Sequence, residues 1–465
     1  MSKLTSKMIL PFLVLIITAV AAMFVSPEAD FTPTAEAAYS SSDIAWVLIS
    51  TALVFLMTPG LAFFYGGMVH RKNVISTMIK SVVAAGVVGV LWITVGFSLS
   101  FGDSLGGFIG NPSTYLFFKG VKSGAPWPLA TSIPLSLFAV FQLMFAIITP
   151  GLVVGAVAER IRFTSYILFI VLFCLLVYAP VAHWSWHPEG FLAKMGVWDF
   201  AGGTVVHITA GCAALAGALV LKRRIAHQAQ KDIPPANVPY VLIGTGLLWF
   251  GWFGFNAGSA VGATPLAVNA FGTTNTAAAA AGLAWMFFDV IKGKKPSVIG
   301  FCIGAVVGLV AITPAAGFVG VPQSIIIGVV AALLSNIAVG IKHKSKLDDT
   351  LDVFPCHGFG GMVGMLLTGV FANKVVHGIA EGPHGWFYGN PSFFFTQLKA
   401  MLLVSSYAFA VSFAIFKFIN FILPLRVTEE EEELGLDQTQ HNENYVQGTL
   451  LVPQPNGQHK EELIH

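Results

Sequence analysis

Long apolar segments are the sequence feature that most constrains how this chain folds. About eleven of them have the length of roughly 20 residues that an α-helix needs to cross the hydrocarbon core of a bilayer. Composition agrees, because 55% of the residues are hydrophobic and only 10% are charged. The sequence therefore predicts an all-α polytopic membrane protein. The predicted spans are residues 43–69, 82–101, 133–158, 163–183, 202–221, 238–259, 267–291, 297–317, 322–341, 354–372 and 394–423.

Composition and motifs also exclude several other classes of protein. The formal net charge is only +2 and no basic domain is present, so no nucleic-acid partner is expected. The four cysteines lie inside apolar segments at unrelated spacings, which predicts neither disulfides nor a zinc site. The H-E-x-x-H and G-x-S-x-G patterns of membrane hydrolases are absent, so the chain is not expected to be an enzyme.

The two ends differ in character from the predicted membrane domain, residues 39–425. Residues 1–38 combine two lysines, an apolar run over 8–25 and the small-residue pattern Ala35-Glu36-Ala37-Ala38, which is typical of a cleaved signal peptide. The apolar run nearly spans a bilayer, so an uncleaved extra helix is the alternative. Residues 426–465 form a tail that opens with an acidic run over 429–433, and its composition predicts a solvated, partly disordered extension.

Positively charged residues are unevenly divided between the loops on the two sides of the predicted membrane domain. One set of alternate loops carries fifteen Lys and Arg residues, and the opposite set carries five. The positive-inside rule puts the first set in the cytoplasm, so the N-terminus lies outside and the C-terminus inside. We expect a multi-pass protein of the inner (plasma) membrane.

The predicted spans divide into two halves of five, followed by one additional C-terminal helix. An odd number of helices per half gives the halves opposite orientations, which predicts a 5+5 inverted repeat. His207 lies on the fifth span and His357 on the tenth, and each follows an aspartate, Asp199 and Asp352. Each histidine also has a glycine four residues later. Because these spans are equivalent in the repeat, we expect the two imidazoles to meet near the midplane.

Histidines inside a membrane point to function, because ionisable side chains are costly there. A neutral imidazole carries one donor and one acceptor, and it titrates near physiological pH. A buried pair can therefore pass a proton or line a path for a small polar solute, which makes transport the first hypothesis. The alternative is that each histidine only bonds a neighbouring carbonyl and ties helices together.

Aromatic residues cluster toward the predicted outer side of the membrane. Facing rings can hold a small cation at about 0.5 to 2 kcal/mol per contact, and a hydroxyl such as that of Ser259 can accept a hydrogen bond from it. The pattern indicates a mouth that selects a compact, hydrogen-bonding cation, with an interfacial aromatic belt as the alternative. The residues are Phe141 and Phe145 on span three, Trp184 and Trp186 in a predicted loop after span four, and Trp252 to Ser259 at the end of span six.

Two further sets of ionisable residues have a structural and a functional interpretation. Asp199 precedes a predicted helix and is expected to cap it, with direct binding of a cation as the other possibility. His183 and His187 have the i, i+4 spacing of a metal pair. However, Pro188 follows and the segment is predicted to be a loop, so no metal site is expected there.

Several longer strings of residues resemble the ammonium transporter family of the Amt, Mep and Rh type, in particular its bacterial Amt branch. The resemblance extends from about the first span to the tail, and the motifs occur in the family's order. They are FQLMF followed by GLVVGAVAERIRF, then YAPVAHWSW, DFAGGTVVHITAG, WFGFNAGSA, DVFPCHG and LRVTEEEEELGLDQTQH.

This resemblance implies a transporter of ammonium and methylammonium without a cofactor. Ammonium would be recruited at an outer aromatic site, lose a proton and cross as ammonia, with or without separate transfer of the proton. The implied site residues are Phe145, Trp186 and Ser259 with Phe141 for recruitment, Phe145 and Phe255 for the gate, His207 and His357 for the pore, and Asp199, Trp252 and Thr313 for support of the site.

The resemblance also implies partners. Family members are homotrimers with one pore per subunit, and in bacteria a PII-type signal-transduction protein binds the cytoplasmic face. This chain departs from the family's usual H-G-E at His441-Asn442-Glu443. Two other functions remain as alternatives. One is an ammonium sensor, although about forty residues of tail are too few for a signalling domain. The other is an intramembrane enzyme, for which no second catalytic group is evident.

Overall fold

The computed structural model describes residues 3–34, 38–231, 233–378, 382, 384–445, 449–453 and 459–463. The helices are α1 (Lys3–Ala22), α2 (Ser41–Met68), α3 (Val74–Leu91, Trp92–Gly96 and Phe97–Phe101), α4 (Leu135–Val157), α5 (Phe163–Phe173, Cys174–Tyr178 and Ala179–Trp186), α6 (Gly203–Ile208 and Thr209–Leu221), α7 (Val238–Gly258), α8 (Pro265–Ile291), α9 (Val298–Ile312), α10 (Val321–His343), α11 (Phe354–Gly358 and Phe359–Phe371), α12 (Pro391–Ile422) and α13 (Glu429–Leu434).

Short elements join the long helices. Two small antiparallel sheets pair β1 (Ser104–Leu105) with β2 (Ile109–Gly110) and β3 (Thr449–Pro453) with β4 (His459–Leu463). The 3-10 helices are Arg71–Asn73, Leu116–Phe118 and Trp386–Tyr388, the short α-helices are Phe191–Lys194, Ile225–Gln228 and Lys374–His377, and Asp437–His441 forms a π turn.

Helices α2 to α12 occupy the positions of the eleven predicted spans, which confirms the predicted fold class. Within the described residues, nine of these helices are long and apolar enough to cross a membrane. The other two are α9, which has only 15 residues, and α8, which is long enough but is interrupted by asparagines and threonines. The chain is therefore a multi-pass helical membrane protein.

Several helices begin at residues that favour the start of a helix. Ser40, Asn237, Thr264 and Ser297 each accept a hydrogen bond from a backbone N–H in the first turn of the helix that follows, so they satisfy donors that would otherwise be unpaired. Helices α7, α8, α10 and α12 also have a proline in the first turn, where its fixed φ angle matches that of a helix. These signals explain why the predicted and observed starts nearly coincide.

Equivalent helices of the two halves pack against each other. The first helix of one half, α2, packs along the first helix of the other, α7, and the fifth helices α6 and α11 also meet. At the α2–α7 crossing, a β-carbon on Gly244 would lie 2.3 Å from the backbone nitrogen of Phe64, so only glycine allows this approach. Helix α12 lies against both α6 and α11. The fifth helices of the two halves are thus held together at the centre of the bundle.

The loops at one end of the bundle are rich in Lys and Arg, and we call this end the basic face. It comprises residues 69–73, 158–162, 222–237, 292–297 and 344–353. Arg224 lies between two acidic side chains there, with 2.6 Å from Nη1 to Glu159 Oε2 and 2.9 Å from Nη2 to Asp348 Oδ1. Burial alone would raise the pKa of the Asp348 carboxyl, but Arg160 and Arg224 hold it well below its usual range.

The first part of the tail is folded onto the basic face. The acidic run, which composition assigned to a partly disordered extension, forms helix α13 because Thr428 and Glu431 make a capping box. Glu431 accepts two hydrogen bonds from the Arg162 guanidinium at 3.0 and 2.6 Å. Asp437 accepts a hydrogen bond from the backbone N–H of Ser76 at 2.8 Å. Residues 429–434 and 437–441 are therefore helical, in a tail for which composition alone predicted partial disorder.

The segment before α2 also makes contacts with a loop. Phe31 N donates to the carbonyl oxygen of Lys122, and Lys122 Nζ lies 3.0 Å from Asp30 Oδ1. Residues 35–37 of the predicted signal-peptide cleavage pattern lie outside the described residues. Cleavage after this pattern stays a prediction.

Candidate functional site

The two histidines singled out in the sequence face each other at the centre of the bundle. His207 Nδ1 and His357 Nδ1 are 3.5 Å apart, and the ring centroids are 5.6 Å apart. Both side chains are buried, with 1% and 3% exposure. Each histidine lies in a π turn at the start of its helix, Gly203–Ile208 in α6 and Phe354–Gly358 in α11. Such turns are rare and occur often at functional sites.

Glycines allow the two histidine-bearing helices to approach. A β-carbon on Gly211 of α6 would lie 2.1 Å from Gly358 Cα of α11, and one on Gly361 would lie 3.1 Å from His207 Cβ. Larger residues at these positions would separate α6 from α11. The close contact of backbones is therefore what lets two short imidazole side chains reach each other.

Each histidine is preceded by an aspartate that caps its helix. Asp199 Oδ1 accepts hydrogen bonds from the N–H groups of Gly202 and Gly203 at 2.9 and 2.6 Å, and Oδ2 accepts one from Thr204 at 2.7 Å. The backbone oxygen of Asp199 also accepts a hydrogen bond from Trp186 Nε1 at 3.2 Å. Asp199 thus fixes both the helix that carries His207 and the indole of Trp186.

The aspartate that caps the helix of the second half as Asp199 does that of the first is Asp349, and not Asp352, which is nearer to His357 in the sequence. Asp349 accepts hydrogen bonds from Val353 N and Phe354 N at 3.0 and 2.7 Å. Asp352 instead lies at φ 58° and forms an ion pair of 2.6 Å with Lys342. The spacing carries the signal, because Asp199 precedes His207 by eight residues and Asp349 precedes His357 by eight. Burial raises the pKa of the Asp349 carboxyl to about 6, although the Lys342 ammonium opposes this shift.

Aromatic rings cover the histidine pair on the side away from the basic face. The ring centroids of Phe145 and Phe255, the residues expected to form the gate, are 4.4 Å apart with the planes tilted by 44°. Phe141 and Trp186 contact Phe145 edge-on, at 5.0 and 5.9 Å. Ser259 donates its hydroxyl hydrogen to the Phe255 carbonyl oxygen at 2.8 Å. The lone pairs of the hydroxyl oxygen stay available to accept a hydrogen bond from a ligand.

Trp184 and Trp186 do not lie in a loop. Both belong to the last turns of α5, which ends at Trp186. The predicted span ended at residue 183 because polar residues begin there, but the backbone continues as a helix for another turn. This extension brings Trp186 within reach of Phe145 and Asp199.

Trp252 packs against His207, and Thr313 holds the Trp252 indole in place. Trp252 Nε1 donates a hydrogen bond to Thr313 Oγ1 at 2.9 Å, and Thr313 in turn donates to Leu309 O at 2.8 Å. The Trp252 ring lies nearly parallel to the His207 ring, with centroids 5.3 Å apart and an angle of 16°. The indole therefore restricts the orientation of His207.

A narrow enclosed cavity of about 10 Å³ lies beside the histidines. This volume holds one molecule of the size of water. Its walls are otherwise almost wholly apolar, and His207 Nε2 has no hydrogen-bond partner within the part of the chain that is described. The aliphatic lining cannot be recognised from the sequence, because such residues look like ordinary core residues in a single sequence. The lining residues beyond the histidines are Met57, Leu61, Phe64, Ile148, Leu152, Val206, Leu248, Trp252, Phe255 and Val306.

His183 and His187 form a second histidine pair, away from the cavity. Their rings stack at 4.4 Å, and the segment between them, predicted to be a loop, is helical as far as Trp186. His183 Nδ1 lies 3.0 Å from Ser100 O and Nε2 lies 2.7 Å from Ser104 Oγ. Both ring nitrogens are thus engaged, one with the end of α3 and the other with β1. No group of three or more metal-ligating residues occurs among the described residues.

Comparison with known proteins identifies the family. The family model described as Ammonium Transporter Family matches residues 45–446. The chain belongs to the ammonium transporter family. It is 44% identical to ammonium transporter Amt1 of Archaeoglobus fulgidus over 404 residues, which covers 87% of this chain and 99% of that protein.

Solved structures of ammonium transporter family members agree with this assignment. The crystal structure of Mep2 from Candida albicans is similar with a TM-score of 0.80 and 35% identity, over 86% of this chain and 92% of that one. A structure described as Sensor Amt Protein has a TM-score of 0.78 and 31% identity, over 86% of this chain and 98% of that one. Residues 45–446, which the family model matches, contain nearly all of α2, the whole of α3 to α12 and therefore every site residue described above.

Proposed function

We propose that this chain transports ammonium across a membrane. It recruits NH4+ at Phe145, Trp186 and Ser259 with Phe141 beside them, removes a proton, and conducts NH3 past His207 and His357 into the cytoplasm. The proton follows separately or stays behind. The observation that carries the proposal is the pair of imidazoles, 3.5 Å apart in a cavity that holds one small molecule.

The apolar cavity favours the neutral species. Moving an ammonium ion without its water into such a cavity costs far more free energy than moving ammonia. K+ is similar in size to ammonium but has no proton to give up, so it stays charged and is excluded. Rings at the mouth attract the cation and Ser259 accepts a hydrogen bond from it, which supports recruitment before the proton is lost.

The histidine pair is suited to receive the proton. A single proton between the two Nδ1 atoms leaves each Nε2 to face the cavity as a donor or an acceptor, and the free Nε2 of His207 agrees with this role. Asp199 acts by positioning the α6 turn that carries His207 and does not need to contact the ion. Phe145 and Phe255 act as the gate above the pair.

Further features of the proposal concern assembly and location. We infer a homotrimer with one pore per subunit and a PII-type signal-transduction protein at the basic face, which is the cytoplasmic face of the plasma membrane. The N-terminus lies outside and residues 1–38 act as a signal peptide. The excess of Lys and Arg on the basic face supports this orientation.

Ammonium sensing is the second candidate function. The similarity to a structure described as Sensor Amt Protein favours it. A sensor and a transporter can share the aromatic mouth and the histidine pair, so geometry does not separate them. A measurement of ammonium flux distinguishes a sensor from a transporter.

Purified full-length protein in proteoliposomes tests the proposal. Under an ammonium gradient, we expect ammonium-dependent uptake and current in the parent and no current with K+ alone. His207→Ala should lose proton-coupled charge movement or leak K+, whereas His384→Ala, in the loop between α11 and α12, should behave as the parent. An absence of flux and current in the parent overturns the transport function. Uptake and current equal to those of the parent in His207→Ala would overturn the proposed role of the histidine pair.

A further inference from the structure

A groove of about 450 Å³ lies on the basic face at the end of α6, and we call it the α6 groove. Its apolar side is formed by Ala218 and Leu219 in the last turn of α6, and Leu219 is 48% exposed. Its polar side carries the three cations Lys222, Arg223 and Lys346. The groove therefore joins an apolar surface at the end of a membrane-spanning helix to a concentrated positive charge.

Among the described residues, the three cations of the α6 groove are not paired with an acidic side chain. Within the described residues, none of them forms an ion pair or a side-chain hydrogen bond. The acidic residue of the groove, Asp348, is already bound by Arg224, whose Nε and Nη2 lie 3.0 and 2.9 Å from its carboxylate oxygens. Its backbone oxygen accepts from Arg160. Asp348 thus belongs to the ion network of the loops and leaves the groove positive.

The backbone turns sharply at one of these cations, Lys222. Lys222 ends α6 with φ 61° and ψ −168°, an unusual conformation for a residue other than glycine. Lys222 N still donates to Ala218 O at 3.1 Å, so the helix closes normally before the chain turns away. Backbone strain of this kind persists where the surroundings require it and concentrates at binding sites.

We propose that the α6 groove binds the phosphate headgroup of an anionic phospholipid, with an acyl chain along Ala218 and Leu219. Basic pockets between membrane helices on the cytoplasmic side recognise such headgroups. A free phosphate would use the cations but not the apolar side of the groove. The exposed Leu219 at membrane depth favours the lipid over a soluble anion.

Binding of dioctanoyl phosphatidylglycerol to the full-length protein in detergent, counted by native mass spectrometry, tests this site. The triple variant Lys222→Gln, Arg223→Gln, Lys346→Gln should bind at least tenfold more weakly, about 1.4 kcal/mol. The matched control Lys119→Gln, Lys374→Gln, Lys399→Gln removes the same charge from exposed positions on the opposite side and should bind as the parent. Equal loss in both variants overturns the proposal.

Further measurements distinguish a lipid phosphate from free phosphate and check that the variant is folded. Dioctanoyl phosphatidylcholine and inorganic phosphate should each bind more weakly than phosphatidylglycerol by tenfold or more. Equal binding of phosphatidylcholine excludes a site for anionic lipid, and equal binding of inorganic phosphate shows a small-anion site instead. Because the charged groups of the three cations form no ion pair within the described part of the chain, the triple variant should unfold at the parent's temperature without lipid. If the triple variant unfolds at a lower temperature, the three single variants are measured in its place. Each single variant should weaken lipid binding in part. Unchanged lipid binding in all three overturns the proposal.

Discussion

Gly211 lies where α6 and α11 touch, and a β-carbon there would be 2.1 Å from Gly358 Cα. Gly211→Ala should push the two helices apart, destabilise the protein by about 1–3 kcal/mol and separate His207 from His357. We expect a lower temperature of thermal unfolding and at least a tenfold loss of ammonium uptake in proteoliposomes. Gly246→Ala is the matched control, since a β-carbon there meets no atom within 4 Å. Equal uptake by the two variants would contradict this role for Gly211.

The site residues differ in how far the sequence could predict them. His207 and His357 could be found because an ionisable side chain stands out in an apolar helix. Asp349 was missed because Asp352 is nearer to His357, although the spacing of eight residues shared with Asp199 and His207 identifies it. The aliphatic wall of the cavity carries no such signal, because a leucine that lines a pore and one that fills a core look alike in a single sequence.

Helix α13 is joined to the basic face in part by the ion pair between Glu431 and Arg162. Glu431→Gln should weaken the bidentate contact with Arg162, which is partly exposed and contributes on the order of 1 kcal/mol or less. We expect faster cleavage of the tail by a protease. Glu430→Gln is the matched control, because Glu430 is exposed in the same helix and has no ion pair among the described residues.

The same contact should depend on pH. Burial opposes ionisation of Glu431, but the Thr428 N–H and Arg162 lower the pKa of its carboxyl below the ordinary 4.5. A lowered pKa means that the stabilisation is present above about pH 4.5 and is lost as the pH falls through the lowered value. Parent protein should therefore release its tail to protease on acidification, and Glu431→Gln should show a smaller change. Identical pH profiles would contradict the prediction.

At the level of whole elements, length and hydropathy were enough to place the helices but not their internal geometry. Eleven apolar segments become α2 to α12 because a bilayer admits few other backbone arrangements. The π turns in α6 and α11 were not predicted, since one extra residue in a helical turn has no compositional signature. The extra turn of α5 that carries Trp186 could not be predicted for a related reason. The apolar run that defines the span stops at polar residues, whereas the backbone hydrogen bonds of the helix continue past them.

The uneven division of Lys and Arg between the loops predicts how the whole molecule is oriented in the membrane. Cysteine reporters test this, because the four native cysteines are buried. In intact cells, a membrane-impermeant maleimide should label Lys374→Cys and not Lys344→Cys, and both should label after permeabilisation, since both positions are exposed. The reverse pattern would place the basic face outside. Because only α11 separates the two positions along the chain, labelling of both in intact cells would contradict α11 as a membrane span.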